Sequence, residues 1–113
     1  MRSVLRSKIH NATVTEANIS YIGSITIDKA LIKKAGFWNS EKVLVVSNTT
    51  GARIETYIIE GKENSGIICM NGAAAHTIKK GEEIIVMGFE ITNKPLVPIK
   101  ILVDKKNKFV KFL

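Results

Sequence analysis

Over most of the chain, apolar and polar positions alternate with a period of two, which predicts strands rather than helices. Residues 2 to 10 alternate, with Arg6, Lys8 and His10 on one face and Leu5, Ser7 and Ile9 on the other. Residues 12 to 19 continue as strand or extended loop. Apolar residues then flank Gly23-Ser24, with Ile19, Tyr21 and Ile22 before the pair and Ile25, Thr26 and Ile27 after it. This predicts strand on both sides, and a glycine between two strand-like halves predicts a bulge or strained backbone. After Ile27 the period changes. Asp28 is a good N-cap, Lys29-Ala30-Leu31-Ile32-Lys33-Lys34-Ala35 favours helix, and Gly36 suits the position just past its end. A short helix over residues 28 to 35 is expected.

Beyond the helix the strand pattern returns. Residues 42 to 47 and 53 to 60 read as a hairpin around the turn Asn48-Thr49-Thr50-Gly51. A short strand over 67 to 70 ends in the turn Asn71-Gly72, and residues 84 to 91 form a strongly apolar strand. Pro95 and Pro98 keep their stretch extended. Residues 99 to 103 are a further strand, and the tail from Asp104 to Leu113 either adds an edge strand or frays. Trp38 is expected as a core or interface anchor. Many short strands with one short helix argue for a small barrel, mainly β.

Composition narrows the function classes. A chain of 113 residues makes one domain with a modest core, which oligomerisation would help. No apolar run is long enough for a membrane span, and the N-terminus lacks a signal-peptide pattern, so a cytoplasmic protein is expected. The net charge is +7 and the pI about 9.7, which suits either nucleic acid or a small anionic substrate. The lysines lack interleaved aromatics, however, and read mostly as a solvated surface. The one cysteine, Cys69, lies in an apolar run and reads as a small buried core residue. It excludes an internal disulfide or a cysteine-rich metal site.

The candidate chemistry lies at Gly23-Ser24. A serine hydroxyl next to the preceding carbonyl can attack its own peptide bond and exchange the amide for an ester, and glycine leaves that carbonyl open. Asn71-Gly72-Ala73-Ala74-Ala75-His76 is either a plain hairpin with packed alanines or a turn whose backbone N–H groups form an anion-binding nest. Arg53 grips a carboxylate or pairs with an acid across the strand. Lys8 and His10 line an anion site or stand on an exposed basic edge strand. Alternation sends Thr56 and Tyr57 to opposite faces, so one Ser24 can use both only at a bulge, a strand end or a site shared between subunits.

Taken in order, Lys8-Ile9-His10, Tyr21-Ile22-Gly23-Ser24, Arg53-Ile54-Glu55-Thr56-Tyr57 and Asn71 to His76 resemble the pyruvoyl-dependent aspartate 1-decarboxylase family over about residues 1 to 103. The resemblance implies a six-stranded double-psi β-barrel with one or two short helices, assembled as a homotetramer with sites at subunit interfaces. It implies a carbon–carbon lyase that converts L-aspartate to β-alanine and carbon dioxide for pantothenate biosynthesis. The chain would first cut itself between Gly23 and Ser24, into residues 1–23 and 24–113. Ser24 would become a covalent pyruvoyl group whose ketone condenses with the substrate amine, with no metal and no pyridoxal phosphate. Tyr57 would be the proton donor. Thr56 would contact substrate and assist cleavage, with Asn71, Gly72, Ala73 and Ala74 as the substrate turn. Lys8 and Arg53 would be the cationic positions, with His10 beside them. Two departures are Val46, where a tryptophan is expected, and the short basic tail. The alternative is a small basic β-barrel that binds nucleic acid. It explains the charge but neither motif, and no nucleic acid is expected. A third reading is an unprocessed relative with a structural role.

Overall fold

The period-two pattern becomes nine strands in the computed structural model, which describes residues 1–113. In chain order these are β1 (Arg2–Thr13), β2 (Glu16–Asn18), β3 (Ser24–Asp28), α1 (Lys29–Ala35), β4 (Lys42–Ser47), β5 (Arg53–Gly61), β6 (Ile68–Asn71), α2 (Ala74–Thr77), β7 (Glu83–Thr92), β8 (Ile99–Val103) and β9 (Phe109–Phe112). The count exceeds six in part because short end pieces, β2 with three residues and β9 with four, also pair. The tail therefore takes the edge-strand alternative, antiparallel to β8.

The strand order is β2-β6-β3-β5-β4-β7-β1-β8-β9. The pairs β1·β8, β2·β6 and β3·β5 are parallel and the rest antiparallel. β1 runs between β7 and β8, so Lys8 and His10 do not stand on an edge strand. The two ends of the order are stitched together by side chains. Asn107, buried in the turn between β8 and β9, donates from Nδ2 to the carbonyls of Thr13 and Gly66, both at 2.8 Å. Its Oδ1 accepts from the Thr13 N–H at 2.7 Å. Just past β1, Thr15 bonds Ile68 of β6 in both directions, N–H to carbonyl at 2.8 Å and Ile68 N–H to Oγ1 at 3.0 Å. The result is a small β-barrel around one cluster of 20 buried apolar residues.

The helix forms where expected. Asp28 Oδ1 caps α1 by accepting from the Ala30 N–H at 2.8 Å, and Gly36 closes it in the left-handed region at φ 76°. Asp28 also accepts from the N–H groups of Asn64 and Gly66, each at 2.8 Å, so one buried carboxylate holds both the helix and the loop before β6. Leu31, Ile32 and Ala35 of α1 join the core.

Three expectations are corrected. Residues 19 to 23 form a turn rather than a strand, because Asn18 breaks the ladder: its Oδ1 accepts from the Ser20 N–H at 3.1 Å and its carbonyl from the Tyr21 N–H at 3.4 Å. Gly23 sits just before β3 and is not in the left-handed region. Trp38 is 79% exposed, which excludes the core reading and leaves the interface one. No helix is long and apolar enough to cross a membrane.

Candidate active site

Two turns meet at Gly23-Ser24. The turn over residues 19 to 23 leads into β3, and the turn at Gly72 leaves β6, the antiparallel neighbour of β3. The Gly72 N–H donates to the Asn18 carbonyl at 2.8 Å. Glycine is required at Gly72 rather than Gly23. Gly72 has φ +66°, and a Cβ there would lie 2.7 Å from Gly23 Cα and 2.9 Å from the Tyr21 carbonyl oxygen. A Cβ on Gly23 would meet only the Asn71 carbonyl oxygen, at an ordinary 3.9 Å.

Ser24 opens β3 opposite Asn71 and is fully buried. Its Oγ donates to the Ile22 carbonyl at 3.2 Å and accepts from Asn71 Nδ2 at 2.9 Å. The same Nδ2 donates to Thr26 Oγ1 at 2.9 Å. Asn71 Oδ1 accepts from the Cys69 thiol at 3.1 Å. Burial pushes that thiol above its usual range, with the Glu16 carboxylate adding to the effect. The Ser24 hydroxyl is thus a fixed member of a polar network, screened from water.

In front of this network is a chamber of about 430 Å³. Gly23 and Asn71 line one side, Ile54, Glu55, Thr56 and Tyr57 of β5 another, and Ala73, Ala74 and Thr77 complete the lining of what is an open hollow. Its size does not single it out, since three other hollows hold about 350 to 490 Å³. Its contents do. Thr56 and Tyr57 point to opposite faces as alternation requires, yet both line the chamber. The reason is pairing: β5 joins β3 only from Ile58 onward, so its first five residues have β4 on one side and an open edge on the other. That open edge borders the chamber. The Ala73 N–H, at the start of α2, has no backbone partner, and no side chain caps that end.

The cations expected from the sequence do not line this hollow. Arg53 is exposed on β5 opposite Val46, outside the lining. Lys8 lies between Met87 and Lys100, and His10 follows on the same strand. Burial holds the His10 imidazole below its usual value and the nearby Lys8 ammonium adds to this, with Glu83 opposing; its Nδ1 is buried without a partner. Of the sequence candidates, Gly23, Ser24, Thr56, Tyr57, Asn71, Gly72, Ala73 and Ala74 come together, while Lys8, His10 and Arg53 do not. Residues missed in the sequence are Thr26, Cys69, Ile54, Glu55 and Thr77. The signal for Thr26 and Cys69 was spacing: each is two residues along a strand from Ser24 or Asn71, and so shares its face. No group of three or more His, Cys, Asp or Glu is arranged to hold a metal.

The sequence profile of the aspartate decarboxylase family matches residues 1–110. The chain belongs to that family. The aspartate 1-decarboxylase of Clostridium botulinum (strain Loch Maree / Type A3) is 51% identical over 114 residues, covering 96% of this chain and 89% of that protein. The aspartate 1-decarboxylase of Neisseria meningitidis serogroup C is 47% identical, covering 95% of this chain and 87% of that one. That of Bacillus velezensis is 44% identical, with 99% and 91% covered. The family is one of lyases, and the resemblance carried by the Gly-Ser and Asn-Gly-Ala-Ala-Ala-His motifs extends over nearly the whole chain.

Proposed function

We propose that this chain decarboxylates L-aspartate to β-alanine and carbon dioxide, at a pyruvoyl group made from its own Ser24. The observation that carries the reading is the buried Ser24 hydroxyl, fixed by Asn71 and the Ile22 carbonyl directly beside Gly23 and Asn71, which line a hollow together with Tyr57 and Thr56. Ser24 Oγ attacks the Gly23 carbonyl carbon, the bond to the Ser24 nitrogen breaks, and the hydroxyl proton passes to that nitrogen, leaving an ester. Loss of the Ser24 α-proton expels the Gly23 carboxylate and cuts the chain. One water then replaces the nitrogen, which leaves as ammonia. Overall one water is consumed, and the products are Met1–Gly23 and a pyruvoyl-started chain of residues 24–113.

The residues present fit such a group. Residue 24 lies against an amide donor, Asn71 Nδ2, and beside a chamber with a phenol. The ketone supplies an electron sink for the pair released when carbon dioxide leaves. The side chains do the rest. Tyr57 holds the proton that returns to the substrate carbon. Thr56, Asn71 and the Ala73 N–H bind substrate oxygens, with Gly72 allowing the close approach of the turn and Ala74 its small wall.

Aspartate carries two carboxylates, and this chamber has no cation of its own. We therefore assign Lys8, Arg53 and His10 to sites shared across subunits of a homotetramer. Arg53 grips the β-carboxylate, because strong neutralisation of the departing α-carboxylate would favour the ground state. The same reading carries a role in pantothenate biosynthesis and a cytoplasmic location. Intact mass under denaturing conditions is the test. Two fragments split after Gly23, the larger lighter by one ammonia than a serine-started chain, are expected. A chain that stays whole after incubation with heat and makes no β-alanine would refute the assignment.

A further inference from the structure

We propose that the Cys69 thiol is a positioning residue for self-cleavage: by donating to Asn71 Oδ1 it fixes which way the Asn71 amide faces, and so presents Nδ2 to Ser24 Oγ. The inference rests on the self-cleavage reading above. The register of β3 on β6 sets Ser24 opposite Asn71 and Thr26 opposite Cys69, so these side chains form one cross-strand quartet. An asparagine amide fits its cavity either way round, and only its partners decide the orientation. Here both Nδ2 protons go to hydroxyls, at 2.9 Å each, and the thiol at 3.1 Å is the donor that meets Oδ1. The other acceptor near the thiol on its own strand, the Met70 carbonyl at 3.9 Å, is too distant to compete well. Glu16, opposite Cys69 on β2, is a second hydrogen-bond acceptor for the thiol and helps to push it up, but its carboxylate is exposed to water, whereas Asn71 Oδ1 is buried beside the thiol at 3.1 Å.

Reversing the amide would aim its NH2 at a sulfur, a weak acceptor, and its oxygen at the Ser24 and Thr26 hydroxyls. The Ser24 proton would then turn from the Ile22 carbonyl toward Oδ1, and the hydroxyl would lose the arrangement in which it donates to Ile22 and accepts from Nδ2. An apolar residue at position 69 frees the amide to sample both states. A serine keeps a donor there.

The test follows the cut fraction by intact mass, at fixed temperature, for freshly purified wild type, Cys69→Ala, Cys69→Val and Cys69→Ser. Folding of each is checked by melting in a Ser24→Ala background, where no cut occurs. Loss of one hydrogen bond predicts cleavage slowed by about three- to tenfold in Cys69→Ala and Cys69→Val, with Cys69→Ser within about twofold of wild type. Equal rates for wild type and Cys69→Ala would overturn the inference while leaving self-cleavage intact. So would equal slowing in all three variants, which marks a packing effect. A wild-type chain that is never cut would remove the self-cleavage reading and this inference together.

Discussion

Tyr57 and Ser24 divide the proposed work between two steps, and single substitutions can separate them. Tyr57→Phe is expected to leave chain cleavage unchanged and to cut turnover of aspartate by about a hundredfold or more, the usual scale for loss of a positioned acid. Cleavage read by mass beside β-alanine formation checks this; slowed cleavage in the variant would contradict the assignment. Gly72→Ala forces a Cβ against Gly23 and Tyr21. It should push the two turns apart and slow cleavage severalfold or more, since left-handed backbone alone costs roughly 1 kcal/mol in a non-glycine residue. His10 gives a pH signature. Its pKa is lowered in the fold from 6.5, so the unfolded chain takes up that proton first and stability declines as pH falls below 6.5 toward the folded value. His10→Gln should lose less Tm than wild type between about pH 7.5 and about pH 5. At this scale the sequence offered Ser24 beside an open Gly23 carbonyl, but the Asn71-Gly72 turn was as readable as a plain hairpin until the family motif was added. Cys69 is harder to see, because its only signal is a spacing of two from Asn71, on the same strand face, within a run that otherwise reads as apolar.

At the scale of elements, α1 was readable because both ends carry their own instructions, Asp28 at one and Gly36 at the other. The stretch before Gly23 was misread because its apolar residues outvoted one asparagine. Asn18 supplies a local acceptor that ends the ladder, and a turn with exposed Ile19 and Ile22 results. That exposure serves the site, since a continuous strand would have kept Gly23 within a ladder. Asp28 makes a further prediction. It accepts from three backbone N–H groups while almost fully buried. Asp28→Ala leaves all three unpaired and should cost about 3 kcal/mol or more, seen as a lower denaturation midpoint. A loss of less than about 1 kcal/mol would mean that water reaches these groups.

For the whole molecule, the barrel class followed from strand number and length, but the order of the strands did not. Sequence spacing says nothing of which distant strand lies beside β1, and so the basic face of Lys8 and His10 was equally compatible with an edge. Nor does it reveal that Arg53 lies outside the hollow lined by Thr56 and Tyr57. A shared site predicts complementation. Co-expressed Arg53→Ala and Tyr57→Phe chains should recover activity that neither has alone, because mixed assemblies contain some sites with both wild-type residues. Absence of recovery in purified mixed oligomers would place the whole site within one subunit.

β1 lies inside the sheet, hydrogen-bonded to β7 on one side and β8 on the other, with Thr13 clasped by Asn107. Were the chain cut after Gly23 as proposed, the piece bearing β1 would be a separate molecule that still forms part of the wall. Unfolding of the mature protein then changes its molecularity: two species separate and must find each other again to refold. Its Tm should rise with protein concentration where that of the uncut Ser24→Ala chain does so less, and dilution after denaturation should strand the long piece without its missing stave. Maturation by the proposed scission would thus leave the fold as a pair of non-covalently held partners.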